Sequence, residues 1–300
     1  MQKQLVVIEG ATGIGKTATG IELARFFDTE IVSADSRQIF KELFIGTAKP
    51  TAEEQALVKH HMINVASIHD YFNAYMFAEQ ASSCIEMLFK NRDIVIMVGG
   101  SGLYIDALCN GIDEIPDIEP QIRESVNAKF MSEGIDGLRL ELKTIDPIFY
   151  QTVDLNNQMR LIRGIEVYRQ TGRPYSSFRV KKMKQVPYKI TKIALERERH
   201  SLYSRINHRV DEMMRLGLED EARSLLDFKQ LNALQTVGYK ELFDYFEGKT
   251  SKDEAVELIK RNTRHYAKKQ ESWFRRDIST IWMNAEDLEK IKSHIQDPGK

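Results

Sequence analysis

Residues 10–17 read Gly-Ala-Thr-Gly-Ile-Gly-Lys-Thr, directly behind the apolar run Leu5-Val6-Val7-Ile8 and ahead of a helical pattern from Ala18 to Phe27. A buried strand, a glycine-rich turn and a helix in that order leave few folds open. Successive backbone N–H groups in such a turn converge on an anion, and the helix N-terminus aims its dipole at it. Lys16 adds a mobile positive charge, and the Thr17 hydroxyl suits a magnesium ion. Gly10, Ala11, Thr12, Gly13, Ile14, Gly15, Lys16 and Thr17 are therefore the candidate phosphate cradle, with Thr17 as the candidate metal ligand.

The pattern around this loop repeats. Leu5–Glu9, Glu30–Ser33, Met62–Val65 and Asp93–Val98 read as strands, and Asn73–Lys90 carries apolar residues at helical spacing between the last two. Such alternation predicts an α/β fold with a parallel sheet flanked by helices, of the P-loop NTPase type. Tyr188–Leu195 and Thr280–Met283 read as two further strands of the same sheet. From about residue 118 to 186 the pattern is helical without a buried strand, which predicts an all-helical insertion. The expected organisation is a first core part at 1–117, the insertion at 118–186, and a second core part with basic helices at 187–300.

The bulk composition excludes several classes. Of 300 residues, 42% are apolar and 29% charged, which is ordinary for a soluble protein with a substantial core. No apolar run is long enough to span a bilayer, and the chain enters a strand almost at once, so neither membrane insertion nor a leader segment is expected. Cys84 and Cys109 form no Cys-x-x-Cys pair, which points to reduced thiols and the cytoplasm and away from structural zinc. The net charge of −1 gives no global attraction to nucleic acid. Any such binding must come from local segregation of charge.

The other strand ends decide which phosphate chemistry fits. A nucleotide-hydrolysing enzyme would close a later strand with a carboxylate to order magnesium or activate water. Here Ile94–Val98 runs instead into Gly99-Gly100-Ser101-Gly102-Leu103-Tyr104. Ser101 there is either a hydroxyl donor to a phosphate or the cap of the next helix. The second strand does end in an acid, Asp35, at the sheet edge where open α/β folds bind ligands. An ionised Asp35 can accept a proton from a nucleophile, or it can cap the following turn. Ser36, Arg37 and Gln38 beside it add a donor, a cation and an amide able to meet a base edge.

Several blocks occur in one order: Gly10–Thr17, Ser33-Ala-Asp-Ser36, Ile45-Gly-Thr-Ala-Lys-Pro50, Val98-Gly-Gly-Ser-Gly-Leu-Tyr104, Thr171-Gly-Arg-Pro174, Val237-Gly-Tyr-Lys-Glu241 and Ala267-Lys-Lys-Gln-x-x-Trp-Phe-Arg275. Together they resemble the bacterial tRNA dimethylallyltransferases, over nearly the whole chain. The resemblance implies transfer of a dimethylallyl group from dimethylallyl diphosphate to N6 of the adenine 3′ of the anticodon, in tRNAs reading codons that begin with U. It makes Asp35 the general base and gives Lys16, Thr17 and Ser101 the diphosphate, with Mg²⁺ as cofactor. It implies contacts to the tRNA anticodon stem-loop from Asp35, Ser36, Arg37, Gln38, Ser101, Arg123, Gln158, Met159, Arg160, Leu161 and Ile162, by an enzyme that is a monomer. The loop departs from the commonest family form, reading Ala-Thr-Gly-Ile where Pro-Thr-Ala-Ser is frequent. Ser101 stands where threonine is usual, and Gln235 where some members carry arginine.

Local charge supports an RNA partner. Arg160, Arg163, Arg169, Arg173, Arg179, Lys181, Lys182 and Lys184 stand against the single acid Glu166. Lys260, Arg261, Arg264, Lys268, Lys269, Arg275 and Arg276 stand against Glu271, with Arg261, Arg264 and Lys268 at i, i+3, i+7. Two other functions share the loop: prenyl transfer to free adenine nucleotides, and phosphotransfer by a small kinase-like enzyme. The long basic insertion disfavours the first, and the Gly99-Gly100-Ser101 strand end disfavours the second.

Overall fold

The computed structural model describes residues 2–179 and 185–297. Its elements run β1 (Gln4–Glu9), α1 (Lys16–Phe26), β2 (Ile31–Ala34), α2 (Ala52–Leu57), β3 (His60–His61), α3 (Ala74–Leu88), β4 (Ile94–Gly99) and α4 (Gly102–Asn110). Then come α5 (Pro120–Ile145), α6 (Pro147–Thr152), α7 (Gln158–Thr171), β5 (Lys189–Glu196) and α8 (Arg199–Arg215). The chain continues through α9 (Leu218–Ser224), α10 (Tyr239–Phe246), α11 (Lys252–Phe274), β6 (Ile281–Asn284) and α12 (Leu288–Gln296). Two compact units result, residues 1–109 with 185–300, and residues 110–184.

The first unit holds a parallel sheet in the order β3-β2-β4-β1-β5-β6. Helices cover both faces of a sheet of this kind, so its middle strands are apolar throughout. Leu5, Val6, Val7 and Ile8 are all fully buried at its centre. Register pairs Glu9 with Gly99 and Ala34 with Gly99. The ends of β1, β2 and β4 are therefore level, and the residues that follow them, Gly10, Asp35 and Gly100, emerge along one edge.

One strand differs from expectation. The third pairing with β2 falls at His60–His61, and not over Met62–Val65. Met62 and Asn64 adopt left-handed backbone angles, φ 60° and 55°, which end the extended run. The apolar residues there serve a turn, with Met62 buried and Val65 exposed.

The second unit is helical among its described residues. Helix α5 breaks at Gly134, and α7 ends at Gly172 in the left-handed conformation (φ 69°) ahead of Pro174. Its core gathers Val126, Leu138, Leu142, Phe149, Leu161 and Ile165. Buried Asp146 caps α6 through Phe149 N–H and also receives the N–H and hydroxyl of Ser176, which ties the last described turn to the helices.

Candidate active site

The carboxyl edge of the first unit's sheet opens on a cavity of about 760 Å³. Asp35, Arg37, Gly46, Arg209, Tyr266 and Lys269 are among the residues that line it, with Thr12 of the glycine loop at its rim. This places the loop after β1, the turn after β2 and the face of α11 around one space.

Within the loop, Lys16 Nζ donates to the carbonyls of Gly10 (3.0 Å) and Ala11 (2.8 Å). Burial and the neighbouring Arg209 guanidinium lower its pKa to about 7, against a smaller opposing pull from Asp35. Thr12 N–H donates to Gln270 Oε1 (2.8 Å) and Ile14 N–H to Ala11 O (3.3 Å). The donors facing an anion thus narrow to those at the start of α1, where the first turn of a helix has N–H groups without intrahelical partners. Arg205 closes the outer side by donating from Nε to Gly13 O (2.9 Å).

Asp35 caps the turn that follows it: its Oδ1 accepts the N–H groups of Arg37 (2.8 Å) and Gln38 (3.2 Å). The side chain is also among those that line the cavity. Arg37 also lines the cavity and donates from Nη1 to Asn232 O (3.0 Å). The Gln38 amide is engaged inside the protein, with Ser33 Oγ at 3.2 Å from its oxygen and Thr47 O and Ala48 O each 3.2 Å from its nitrogen.

Ser101 is buried beside this turn. Its oxygen accepts Ser36 N–H (2.8 Å) and its hydroxyl donates to Ser36 Oγ (3.2 Å). The helix start is served by its carbonyl, which accepts from Tyr104 N–H (2.9 Å) and Ile105 N–H (3.1 Å). Each surrounding glycine makes room for another part of the protein. A Cβ at Gly99 would lie 2.2 Å from Ala34 O, at Gly100 2.3 Å from Gln270 Nε2, and at Gly102 2.3 Å from Trp273 Cδ1. Gln270 Nε2 in turn donates to Gly100 O (2.8 Å), so one side-chain amide joins the glycine loop to the β4 turn.

Arg209 escapes a motif-by-motif reading of the sequence. It sits on α8, lines the cavity, and interacts electrostatically with both Lys16 and Asp35. Its spacing of four from Arg205, on the helix that follows a core strand, is the signal that could have found it. Tyr266, whose hydroxyl is pushed up to about 12 by burial and by Asp35, is the aromatic lining the cavity. Tyr104, Tyr239 and Phe274 are instead buried in packing, and Trp273 Nε1 donates to Asp106 (2.9 Å).

The basic stretches separate into engaged and exposed members. On α11, Arg261 and Lys269 border the cavity, whereas Lys260 pairs with Asp211 (2.8 Å) and Arg264 bonds Asn207 (2.6 Å), both on α8. In the second unit Gln158, Met159 and Arg160 are exposed. Leu161 and Ile162 are core residues there, so their side chains offer no surface to a partner. Arg169 is held by Glu141 through two bonds of 2.9 Å. Glu166 lies between Arg123 (3.5 Å) and Arg163 (3.8 Å). Lys181, Lys182 and Lys184 lie outside the described residues.

Chemically, the edge offers a cationic, N–H-rich loop for a polyanion and a carboxylate oxygen for the proton of a nucleophile. Among the described residues no group of three or more His, Cys, Asp or Glu side chains could hold a metal. The hard hydroxyl of Thr17 suits magnesium of the kind held mainly by substrate phosphates and water. No helix among the described residues is long and apolar enough to cross a membrane.

Comparison with known proteins is consistent across sequence and structure. The IPP transferase family matches residues 38–277. The tRNA dimethylallyltransferase 2 of Parabacteroides distasonis is 48% identical over 291 residues, covering 97% of each chain. The tRNA dimethylallyltransferase 1 of Bacteroides fragilis is 44% identical, covering 98% of each. Among solved structures, the tRNA isopentenylpyrophosphate transferase of Bacillus halodurans superposes with a TM-score of 0.71 at 34% identity, over 98% of this chain and 96% of that one. A eukaryotic dimethylallyltransferase acting on tRNA superposes with a TM-score of 0.79 at 26% identity, over 99% of this chain and 77% of the other.

Proposed function

The chain belongs to the IPP transferase family, and on that premise we propose that it is a tRNA dimethylallyltransferase: it moves a dimethylallyl group from dimethylallyl diphosphate to N6 of the adenine 3′ of the anticodon. The observation that carries the reading is a cavity bordered by Thr12 of the glycine loop, Asp35 and Arg209 together. A polyanionic leaving group and an amine acceptor need that pairing of charges, side by side.

The residues divide the work as follows. The N–H groups at the start of α1, Lys16 and Arg209 hold the diphosphate and stabilise the charge that grows on its bridging oxygen as the allylic C–O bond breaks. Lys16 leaves the loop carbonyls for the phosphates. Magnesium, held through the Thr17 hydroxyl and the substrate's own oxygens, would neutralise part of that charge. The exocyclic amine donates a hydrogen bond to Asp35, which accepts its proton as the new C–N bond forms. Ser101 orders the Asp35–Ser36 turn through its bonds to the Ser36 N–H and hydroxyl.

Reaching the amine requires the adenine to leave the loop stack and enter the cavity. Arg37, Arg261 and Lys269 supply positive charge at that opening. In the second unit Arg123, Gln158, Met159 and Arg160 form the exposed surface for the anticodon stem-loop. We assign the enzyme to the cytoplasm and to action as a monomer.

The test is incubation with labelled dimethylallyl diphosphate and, in parallel, total tRNA, AMP and ATP. Label entering tRNA and recovered as N6-dimethylallyladenosine is the expected result. Label entering a free nucleotide with none in tRNA would overturn the assignment of the acceptor.

A further inference from the structure

Glu221, on α9, sits outside every motif discussed so far. Its carboxylate is enclosed by the backbone of a loop 175 residues earlier in the chain. Oε2 accepts the N–H groups of Phe44 (3.1 Å) and Ile45 (2.7 Å), and Oε1 accepts that of Gly46 (2.9 Å). The Tyr239 hydroxyl donates to Oε1 as well (2.6 Å). Three successive N–H groups converging on one anion form a nest of the kind that binds phosphate elsewhere. Here the anion is a side chain of the protein itself.

The loop lies so close to Tyr239 that a Cβ at Gly46 would fall 2.6 Å from the ring. Loop and ring therefore have one mutual position, and Glu221 fixes it from both sides. A sequence of contacts then leads to the reacting centre. Gly46 and Thr47 line the cavity. The Thr47 and Ala48 carbonyls receive the Gln38 amide, and Gln38 N–H donates to Asp35 Oδ1. Lys49, buried at the end of the loop, anchors the far side by donating to Phe40 O and to Asn64 Oδ1 (2.6 Å).

We propose that Glu221 is a positioning residue for transfer: by filling the nest of residues 44–46 it sets the cavity wall and, through Gln38, the aim of Asp35. The inference rests on the transferase reading of the site. Glu221 touches neither the glycine loop nor Lys16 among the bonds described, so diphosphate binding should be spared. The carboxylate gives one shared acceptor to three successive N–H groups, two of them part-buried.

The decisive variant is Glu221→Ala, which removes a fragment the size of acetate and leaves the nest in place. We expect kcat to fall about 10²-fold, the scale of an ångström-sized misplacement. KM for dimethylallyl diphosphate should stay within about threefold of wild type, since the phosphate contacts of α1 are unchanged. Acetate at constant ionic strength should restore part of the loss, and acetamide should not. A merely structural residue would show neither that split nor that selectivity.

An unchanged kcat, or a loss that acetate does not relieve, would overturn the proposal. Should Glu221→Ala not fold, Glu221→Gln keeps the shape but presents an amide nitrogen to one side of the nest. A reduced kcat at unchanged KM for the diphosphate then supports the proposal, and wild-type kcat overturns it. Activity of the wild-type enzyme on tRNA in the same assay keeps the transferase reading separate from this outcome.

Discussion

Asp35 caps its own turn through Oδ1, and the base role proposed for the same side chain must be tested without losing that cap. Alanine would remove both at once. Asp35→Asn keeps an acceptor for the Arg37 and Gln38 N–H groups but cannot take a proton. Its turnover should drop about 10²–10⁴-fold with thermal stability and tRNA affinity near wild type, measured by single-turnover transfer and filter binding. Near-normal turnover would remove Asp35 as base. Glu9, just ahead of the glycine loop, offers a second test. Burial raises its carboxyl to about 7, with help from Asp106 and Asp277 and against the Thr280 hydroxyl and Lys192. An acid raised this way binds its proton more tightly folded than unfolded. Stability therefore declines as pH rises from the unfolded value near 4.5 through 7, by about 3 kcal/mol in total. Glu9→Gln keeps an acceptor for Thr280 and removes the titration. Urea unfolding should find its stability relative to wild type higher at pH 8.5 than at pH 5, by most of that amount; the same difference at both would refute the shift. The glycine loop is legible in sequence because its chemistry is local: eight adjacent residues carry strand, turn and helix signals together. Arg209 is not, because its meaning depends on α8 folding back over that loop, a contact 193 residues long from Lys16. Gly99, Gly100 and Gly102 suggest close approach by a ligand, yet their missing side chains are explained by Ala34, Gln270 and Trp273.

Among the elements, α11 and α7 show how a basic stretch is sorted by folding. Spacing suggests one cationic stripe on α11 at Arg261, Arg264 and Lys268. Packing against α8 draws Arg264 to Asn207 and leaves Arg261 and Lys269 on the cavity side. Only the partner helix decides which face looks outward, and the partner is not visible in the stretch itself. On α7 the one acid among the cations has the opposite effect from a simple charge count. Burial shifts the Glu166 carboxyl up despite the guanidinium groups of Arg123 and Arg163 beside it, and its bonds hold both arginines in place. Glu166→Gln makes this surface more positive, which on net charge alone should tighten RNA binding. We expect the reverse, a loss of about 1 kcal/mol or roughly fivefold in Kd for tRNA, because the arginines lose their guide. Tighter binding would show that charge, and not orientation, governs the surface. The same reasoning explains the third strand: Met62–Val65 is a short apolar and β-branched run, but positive φ at Met62 and Asn64 is a property of a turn that residue type cannot reveal.

On the scale of the whole molecule, 43 basic and 44 acidic residues cancel. Attraction to RNA must then come from the few cations that folding leaves unengaged. Arg160 is one of them, exposed at the start of α7. Arg160→Ala should weaken every tRNA alike and lower the slope of log K against log salt by about 1; an unchanged slope would remove Arg160 from the phosphate contacts. The fold class was readable because βα alternation is a periodic signal spread over a hundred residues. The strand order was not, since it depends on pairings between distant segments. The last of these has a consequence for how the enzyme comes into being. β1 lies between β4 and β5, and Gln4 pairs with Lys189. During synthesis the first strand must wait for some 185 intervening residues before its second neighbour exists, with one row of backbone donors and acceptors still open. The wait is longer still for Thr12, whose N–H meets Gln270 only when α11 has been made. A nascent chain of this kind carries its phosphate-binding sequence out of the ribosome first and completes the pocket nearly last. Until α11 exists, the glycine loop lacks its Gln270 tether and the cavity lacks the wall that Arg261, Tyr266 and Lys269 supply.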